Sequence, residues 1–255
     1  MKQLFNFLDT NTIITGGSSG IGMEIAKNFA MSGSKVLIIG RNEEKLKKTV
    51  LELENEINKK IRYFKCDVQN QKDIDQLYDY TSEKFNKKLN ILVNSAGINI
   101  RNPVESINHA DWNEIIDINL TGTFRVTQKL LPLIKQSDFG RIINLGSIFA
   151  TVSYPSRAAY AASKGGVIMF TKTLAIELAK SNITVNSISP GPLLTEINKA
   201  VLKDEENYKK FCEKIPIGRF GEPSEVITSI FFLASKYSSY VTGADIKVDG
   251  GWTIY

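Results

Sequence analysis

Thr12-Ile13-Ile14-Thr15-Gly16-Gly17-Ser18-Ser19-Gly20-Ile21-Gly22 is the stretch whose reading decides the fold. Its four β-branched residues read as a short buried strand, and the glycines that follow turn the chain sharply. Beyond the turn, Ile25, Ala26, Phe29 and Ala30 repeat at helical spacing, and Gly33 stands where a helix would be capped. A strand that passes through a glycine turn into a helix gathers free backbone N–H groups and the positive end of the helix dipole at one point. Gly16, Gly20 and Gly22 let the backbone approach a pyrophosphate closely there, with Ser18, Ser19 and Ile21 in the same turn. A merely tight strand-to-helix turn would also use glycines, so the surrounding pattern has to decide.

Outward from this unit, strands are predicted over 35–39, 61–66, 90–94, 140–145, 183–189 and 245–248. Helical patterns lie between them over 43–58, 71–85, 111–132, 160–175 and 224–235. Alternation at this spacing predicts right-handed βαβ units. The expected fold is α/β: one Rossmann-like, doubly wound parallel sheet of about seven strands with helices on both faces. No linker, repeat or low-complexity stretch divides residues 1–255, so a single domain is expected. Ligands of such sheets bind beyond the carboxyl ends of the strands. Arg41, Asp67 with Val68, Asn94 with Ala96 and Gly97, Ser147, and the run Pro190, Gly191, Leu193, Thr195 all follow strand ends.

Composition narrows the function classes. The formal charge is +5, but the lysines alternate with glutamates on helical segments, and no basic stripe with interleaved aromatics suggests nucleic acid. No apolar run reaches the ~20 residues of a membrane span, and no signal-peptide pattern precedes the first strand. Cys66 and Cys212 are too few for a disulfide framework and lack metal-ligand spacing. A cytoplasmic, metal-free protein is expected.

Arg41 follows Gly40 where a dinucleotide fold would place a carboxylate on the cofactor ribose. A guanidinium there binds a 2′-phosphate that a carboxylate would repel, which favours NADP(H) over NAD(H). Alternatively, Arg41 is a solvated residue before a helix that Asn42 caps. Tyr160 and Lys164 stand four apart on one helix face, in Ser156-Arg157-Ala158-Ala159-Tyr160-Ala161-Ala162-Ser163-Lys164. A nearby ammonium favours the phenolate, which would make the tyrosine a proton donor and acceptor near neutrality. A packing tyrosine beside a solvated lysine would show the same spacing. Asn119, inside the apolar pattern of 111–132, is a poor helix-interior residue and suggests a kink or a buried polar task. His109, the one histidine, reads as a surface residue.

Taken together, these residues resemble the short-chain dehydrogenase/reductase family over essentially the whole chain. Thr15 to Gly22 matches its cofactor motif, and Asn94-Ser95-Ala96-Gly97 its Asn-Asn-Ala-Gly, with Ser95 departing at the second position. Asn119, Ser147, Tyr160 and Lys164 fall on its four catalytic positions. The resemblance implies that Tyr160 exchanges a proton with the substrate oxygen while the nicotinamide exchanges a hydride. Ser147 would hydrogen-bond that oxygen, and Lys164 would hold the nicotinamide ribose and lower the Tyr160 pKa. Asn119 would hold a water that links Lys164 to solvent. It also implies that Asp67 and Val68 meet the adenine, that Leu193 and Thr195 meet the carboxamide, and that the protein is a homotetramer.

The loop Ile98-Asn99-Ile100-Arg101-Asn102-Pro103 and the ending Val248-Asp249-Gly250-Gly251-Trp252-Thr253 resemble the gluconate 5-dehydrogenase and deoxygluconate dehydrogenase branch. That implies a ketone–alcohol interconversion on a sugar acid or polyol, with Arg101 either pairing with a substrate carboxylate or exposed. The charged stretch 196–221 is a candidate substrate lid. A 3-oxoacyl-(acyl-carrier-protein) reductase shares the core motifs and stays open as an alternative. So does a cofactor-binding regulator without turnover.

Overall fold

Successive residues of a strand face opposite sides of a sheet, and both sides of this one are covered. The computed structural model describes residues 5–254. In chain order its elements are β1 (Asn11–Thr15), α1 (Gly20–Met31), β2 (Lys35–Gly40), α2 (Glu43–Ile57), β3 (Ile61–Lys65), α3 (Gln71–Lys84) and β4 (Ile91–Asn94). Next come α4 (His109–Ile116), α5 (Gly122–Lys135), β5 (Gly140–Leu145), α6 (Ala158–Leu178) and β6 (Ile183–Pro190). The chain continues through α7 (Lys199–Leu202), α8 (Glu205–Glu213) and α9 (Ile227–Ala234) to β7 (Asp245–Val248). Ile14, Ile38, Val93 and Ile143 pack toward α1, α2 and α9, while Ile13, Leu37, Leu92 and Ile142 pack toward α3, α5 and α6. All eight are fully buried.

The seven strands are parallel in the order β3-β2-β1-β4-β5-β6-β7. The chain winds outward from β1 to β3, then returns to place β4 against the other side of β1. Loops leaving β1 and β4 therefore diverge, opening a crevice at their carboxyl ends. The expected single-domain α/β architecture is the one observed, with strand limits within a residue or two of those read from the sequence.

The helix predicted over 111–132 is a longer rod with a defect. α4 passes into a π-helical turn, Asp117–Thr121, and continues as α5 beyond Pro132 to Lys135. Asn119 lies in that turn, fully buried; its side-chain carbonyl accepts from the Ile98 N–H (2.8 Å), and its amide donates to the Ile98 carbonyl and the Ser163 hydroxyl (3.0 Å each). Three side-chain bonds to neighbouring elements make the extra residue of a π turn worthwhile at this point. The helix predicted over 224–235 begins as a 3₁₀ turn, Pro223–Val226, before α9.

Between β6 and α9, the stretch 196–221 holds a 3₁₀ turn, α7 and α8. Val201, Phe211, Ile215 and Phe220 form a small core of their own, separate from those on the sheet. Phe211 stacks between Tyr154 (5.2 Å between centroids) and Trp252 (5.7 Å). The C-terminal tail thus reaches back to brace this segment, and the Ile217 N–H donates to the Gly250 carbonyl at 3.2 Å.

Candidate active site

The crevice is a cleft of about 460 Å³ that begins at the glycine turn. Gly16 has φ of +67°, and a Cβ there would lie 2.9 Å from the Ala96 backbone. A Cβ on Gly22 would meet the Gly16 carbonyl at 2.4 Å. Both clashes are with backbone, so only glycine lets the turn, α1 and the β4 loop close on one another. Thr15 holds that loop by accepting from the N–H groups of Ser95 and Ala96 (2.9 Å each). At the N-terminus of α1, the Ser19 side chain makes no capping bond. The uncapped helix end opens into the cleft, a setting that suits a phosphate.

Arg41, Asn42 and Lys45 line the same cleft beyond Gly40. Asn42 is committed to capping α2, accepting from the Lys45 N–H at 2.9 Å. Arg41 lies 3.7 Å from Glu114, with both side chains substantially exposed, so the pair contributes little and yields readily to a stronger anion. Asp67 and Val68 also line the cleft. The Asp67 carboxylate accepts from the Gln69 N–H at 3.0 Å. Cys66, in the same wall, has its thiol pushed up to about 12 by burial, so it stays protonated.

A second cavity adjoins the first and shares Ile21, Ser95, Gly97 and Thr195 with it. Ser147, Tyr160 and Lys164 line it from β5 and α6, and Pro190, Gly191 and Leu193 from the end of β6. Burial raises the Tyr160 pKa above its ordinary value, while a hydrogen bond with Ser147 and the charge of Arg157 act in the opposite direction. Lys164 donates from Nζ to the Leu145 carbonyl at 2.7 Å and stands 5.8 Å from the Tyr160 ring centroid. Burial lowers its pKa to about 8.

These positions refine several expectations. Arg157, which the sequence reading did not single out, also places its positive charge near the Tyr160 phenol, beside the expected Lys164. Asn94 lines neither cavity; its amide donates to Thr127 (2.9 Å) and Asn144 (2.8 Å), so its side chain ties β4 to β5 and α5. Arg101 also lies outside both walls and donates to Asn198 at 3.4 Å, itself a cavity residue. Asn119 sits behind the wall, where a Cβ on Gly97 would be 3.2 Å from its side-chain oxygen and 3.6 Å from Lys164 Nζ. His109 is exposed, as the first residue of α4.

Sequence reasoning missed Lys45, Asn99, Phe149, Arg157 and Phe211, all of which line the two cavities. Arg157 carried a usable signal, because three residues before Tyr160 it shares that residue's helix face. Asn99 and Phe211 carried none, since loop geometry and the packing of α8 decide where they point.

A family model described as enoyl-(acyl carrier protein) reductase matches residues 16–253. The chain belongs to the short-chain dehydrogenase/reductase family. Members of this family are oxidoreductases acting on alcohol and ketone groups with a nicotinamide cofactor. The short-chain dehydrogenase/reductase chain is 38% identical to the 3-oxoacyl-(acyl-carrier-protein) reductase FabG of Aquifex aeolicus over 242 residues, 94% of this chain and 96% of that protein. It is 34% identical to the 5-keto-D-gluconate 5-reductase of Escherichia coli over 254 residues, 100% of this chain and 99% of the other. Among solved structures, a gluconate 5-dehydrogenase from Burkholderia cenocepacia in complex with NADP and tartrate superposes with a TM-score of 0.94 at 32% identity, covering 100% and 99% of the two chains. Among the described residues, no helix is long and apolar enough to cross a membrane, and no group of three or more His, Cys, Asp or Glu could hold a metal ion.

Proposed function

We propose that this oxidoreductase interconverts a ketone and a secondary alcohol on a sugar acid or related polyol, using NADP(H). The observation that carries the reading is that Ser147, Tyr160 and Lys164 line one cavity, which shares a wall with the glycine-turn cleft. A carbonyl oxygen placed between the two hydroxyls would be polarised by Ser147 and protonated by Tyr160. The nicotinamide cofactor, when bound, supplies or accepts the hydride. Lys164, buried below the cavity, would hold positive charge beneath the reacting oxygen as the phenol loses its proton. Asn119, fixed in the π turn beside Lys164 and Gly97, would keep a polar route from the ammonium toward solvent.

NADP(H) is favoured over NAD(H) because Arg41 and Lys45 line the far end of the cleft. No carboxylate follows Gly40 to repel a 2′-phosphate. Replacing Arg41 by Ala should weaken NADPH at least tenfold and NADH less than threefold, read by fluorescence titration. Equal losses would remove Arg41 from cofactor discrimination. The stretch 196–221 supplies Thr195-adjacent Glu196, Asn198 and Phe211 to the cavity walls, which fits a lid over the substrate.

The sugar-acid reading draws on full-length similarity to proteins named for gluconate chemistry. One observation favours a second reading, reduction of a 3-oxoacyl thioester: the identity to the 3-oxoacyl-(acyl-carrier-protein) reductase is the higher of the two. Steady-state rates with 5-ketogluconate and an acetoacetyl thioester separate them, and faster thioester reduction would reverse the assignment. With either substrate, Tyr160→Phe should cost at least 10³-fold in kcat while cofactor binding changes less than threefold. Retained turnover would refute the proton role.

A further inference from the structure

Arg157 immediately precedes α6, lines the cavity and is only 5% exposed. Its guanidinium stands 5.6 Å from the Phe149 ring centroid, so an aromatic ring covers it. Its Nε and Nη1 donors are buried without a hydrogen-bond partner. A buried guanidinium is normally paired, because a charge stripped of water and left without an acceptor is costly. Here the charged and titratable groups that act on it are Arg101, Tyr160 and Tyr154, none of them a carboxylate, and burial holds its pKa down to about 10. A second orphan lines the same cavity: the side-chain oxygen of Asn99 is buried and accepts no hydrogen bond. The lining of this cavity therefore holds unpaired cationic donors and an unpaired acceptor together with Ser147 and Tyr160.

The geometry points to a polyhydroxy carboxylate as the substrate class, its carboxylate held by Arg157 and one of its hydroxyls donating to Asn99. This rests on the oxidoreductase reading of Ser147 and Tyr160 given above. A guanidinium can take a carboxylate through two parallel N–H bonds, and the pairing supplies the counter-charge that the fold omits. Arg101, bonded to the cavity residue Asn198, adds positive charge nearby. An acyl thioester carries neither a carboxylate to balance the Arg157 charge nor a hydroxyl to donate to Asn99, so it matches this lining less well.

Three ketones separate the two contacts: 5-ketogluconate, L-sorbose, in which a hydroxymethyl group replaces the carboxylate, and 5-oxohexanoate, which keeps the carboxylate and lacks the hydroxyls. Arg157→Gln should lower kcat/KM at least tenfold on the two carboxylates, mainly through KM, and less than threefold on L-sorbose. Asn99→Ala should lower it on the two hydroxylated ketones and spare 5-oxohexanoate. A uniform loss on all three substrates would make both residues structural and overturn the inference. If Arg157→Gln does not fold, Arg157→Lys keeps the charge without the planar fork and should still raise KM selectively for the carboxylates. A binding measurement keeps this site distinguishable from the catalytic reading: calorimetric titration of the NADPH-saturated enzyme with tartrate. Tartrate should bind the wild type and bind Arg157→Gln at least tenfold more weakly, even if turnover proves to favour a thioester. No tartrate binding to the wild type, or equal binding to both proteins, would overturn the anion site.

Discussion

Lys164 shows how a single side chain carries both a cost and a task. Its ammonium is buried with one carbonyl partner, and its pKa falls from 10.5 to about 8. The folded-state value lies below the unfolded one, so between pH 8 and 10.5 the unfolded chain binds more protons and stability rises with pH. Below pH 8 both states are protonated, and the cost is fully present. At about 1.4 kcal/mol per pKa unit it amounts to about 3 kcal/mol. Lys164→Met removes the titration. The stability of the wild type relative to that variant should be flat below pH 8 and climb by up to about 3 kcal/mol toward pH 10.5, as read by denaturant unfolding across that range. A flat difference throughout would mean that Lys164 is not desolvated. Tyr160 and Lys164 were both legible in the sequence because four-residue helical spacing is a local property. The balance of charge on the phenol was not, since it depends on how deeply α6 sits against β5.

At the scale of elements, the glycine turn was the most legible feature, because the requirement for glycine there is set by backbone atoms. Gly22→Ala would drive a methyl to 2.4 Å from the Gly16 carbonyl, and neither strand nor helix can retreat. The variant should lose at least 1–3 kcal/mol of stability, as overpacking does, together with most cofactor affinity. Thermal unfolding and cofactor titration check the two losses, and unchanged values would show that the turn can relax. The helix through Asn119 was legible in part. Its apolar periodicity announced a helix, and the misplaced asparagine announced a defect. A π turn depends on partners more than twenty residues away, Ile98 on one side and Ser163 on the other, which no local pattern encodes. The ends of strands and their loops were least legible: Asn94, closing β4, ties that strand to β5 and α5, and Arg101, in the loop beyond, reaches the cavity through Asn198.

For the whole molecule, the parallel sheet and its winding followed from the alternation of strand and helix, and their order placed the crevice. The outer face of α4, α5 and α6 remains unexplained by the fold of one chain. Met169 (59% exposed), Ile176 (79%) and Phe124 (41%) lie there, with Phe124 meeting Phe170 edge to face. Surface apolar residues clustered on long helices suit an interface, in keeping with the homotetramer proposed from the family resemblance. Light scattering at micromolar concentration should give a mass that is a multiple of 28.4 kDa. Met169→Glu combined with Ile176→Glu should reduce it, and a monomeric wild type would refute the assembly.

The common wall of Ile21, Ser95, Gly97 and Thr195 has a consequence for the sequence of events in turnover. A dinucleotide held in the larger cleft would form part of the boundary of the smaller one. The expected outcome is compulsory order, with the dinucleotide entering first and leaving last; product-inhibition kinetics check it, and random order would show that the smaller cavity takes its substrate independently.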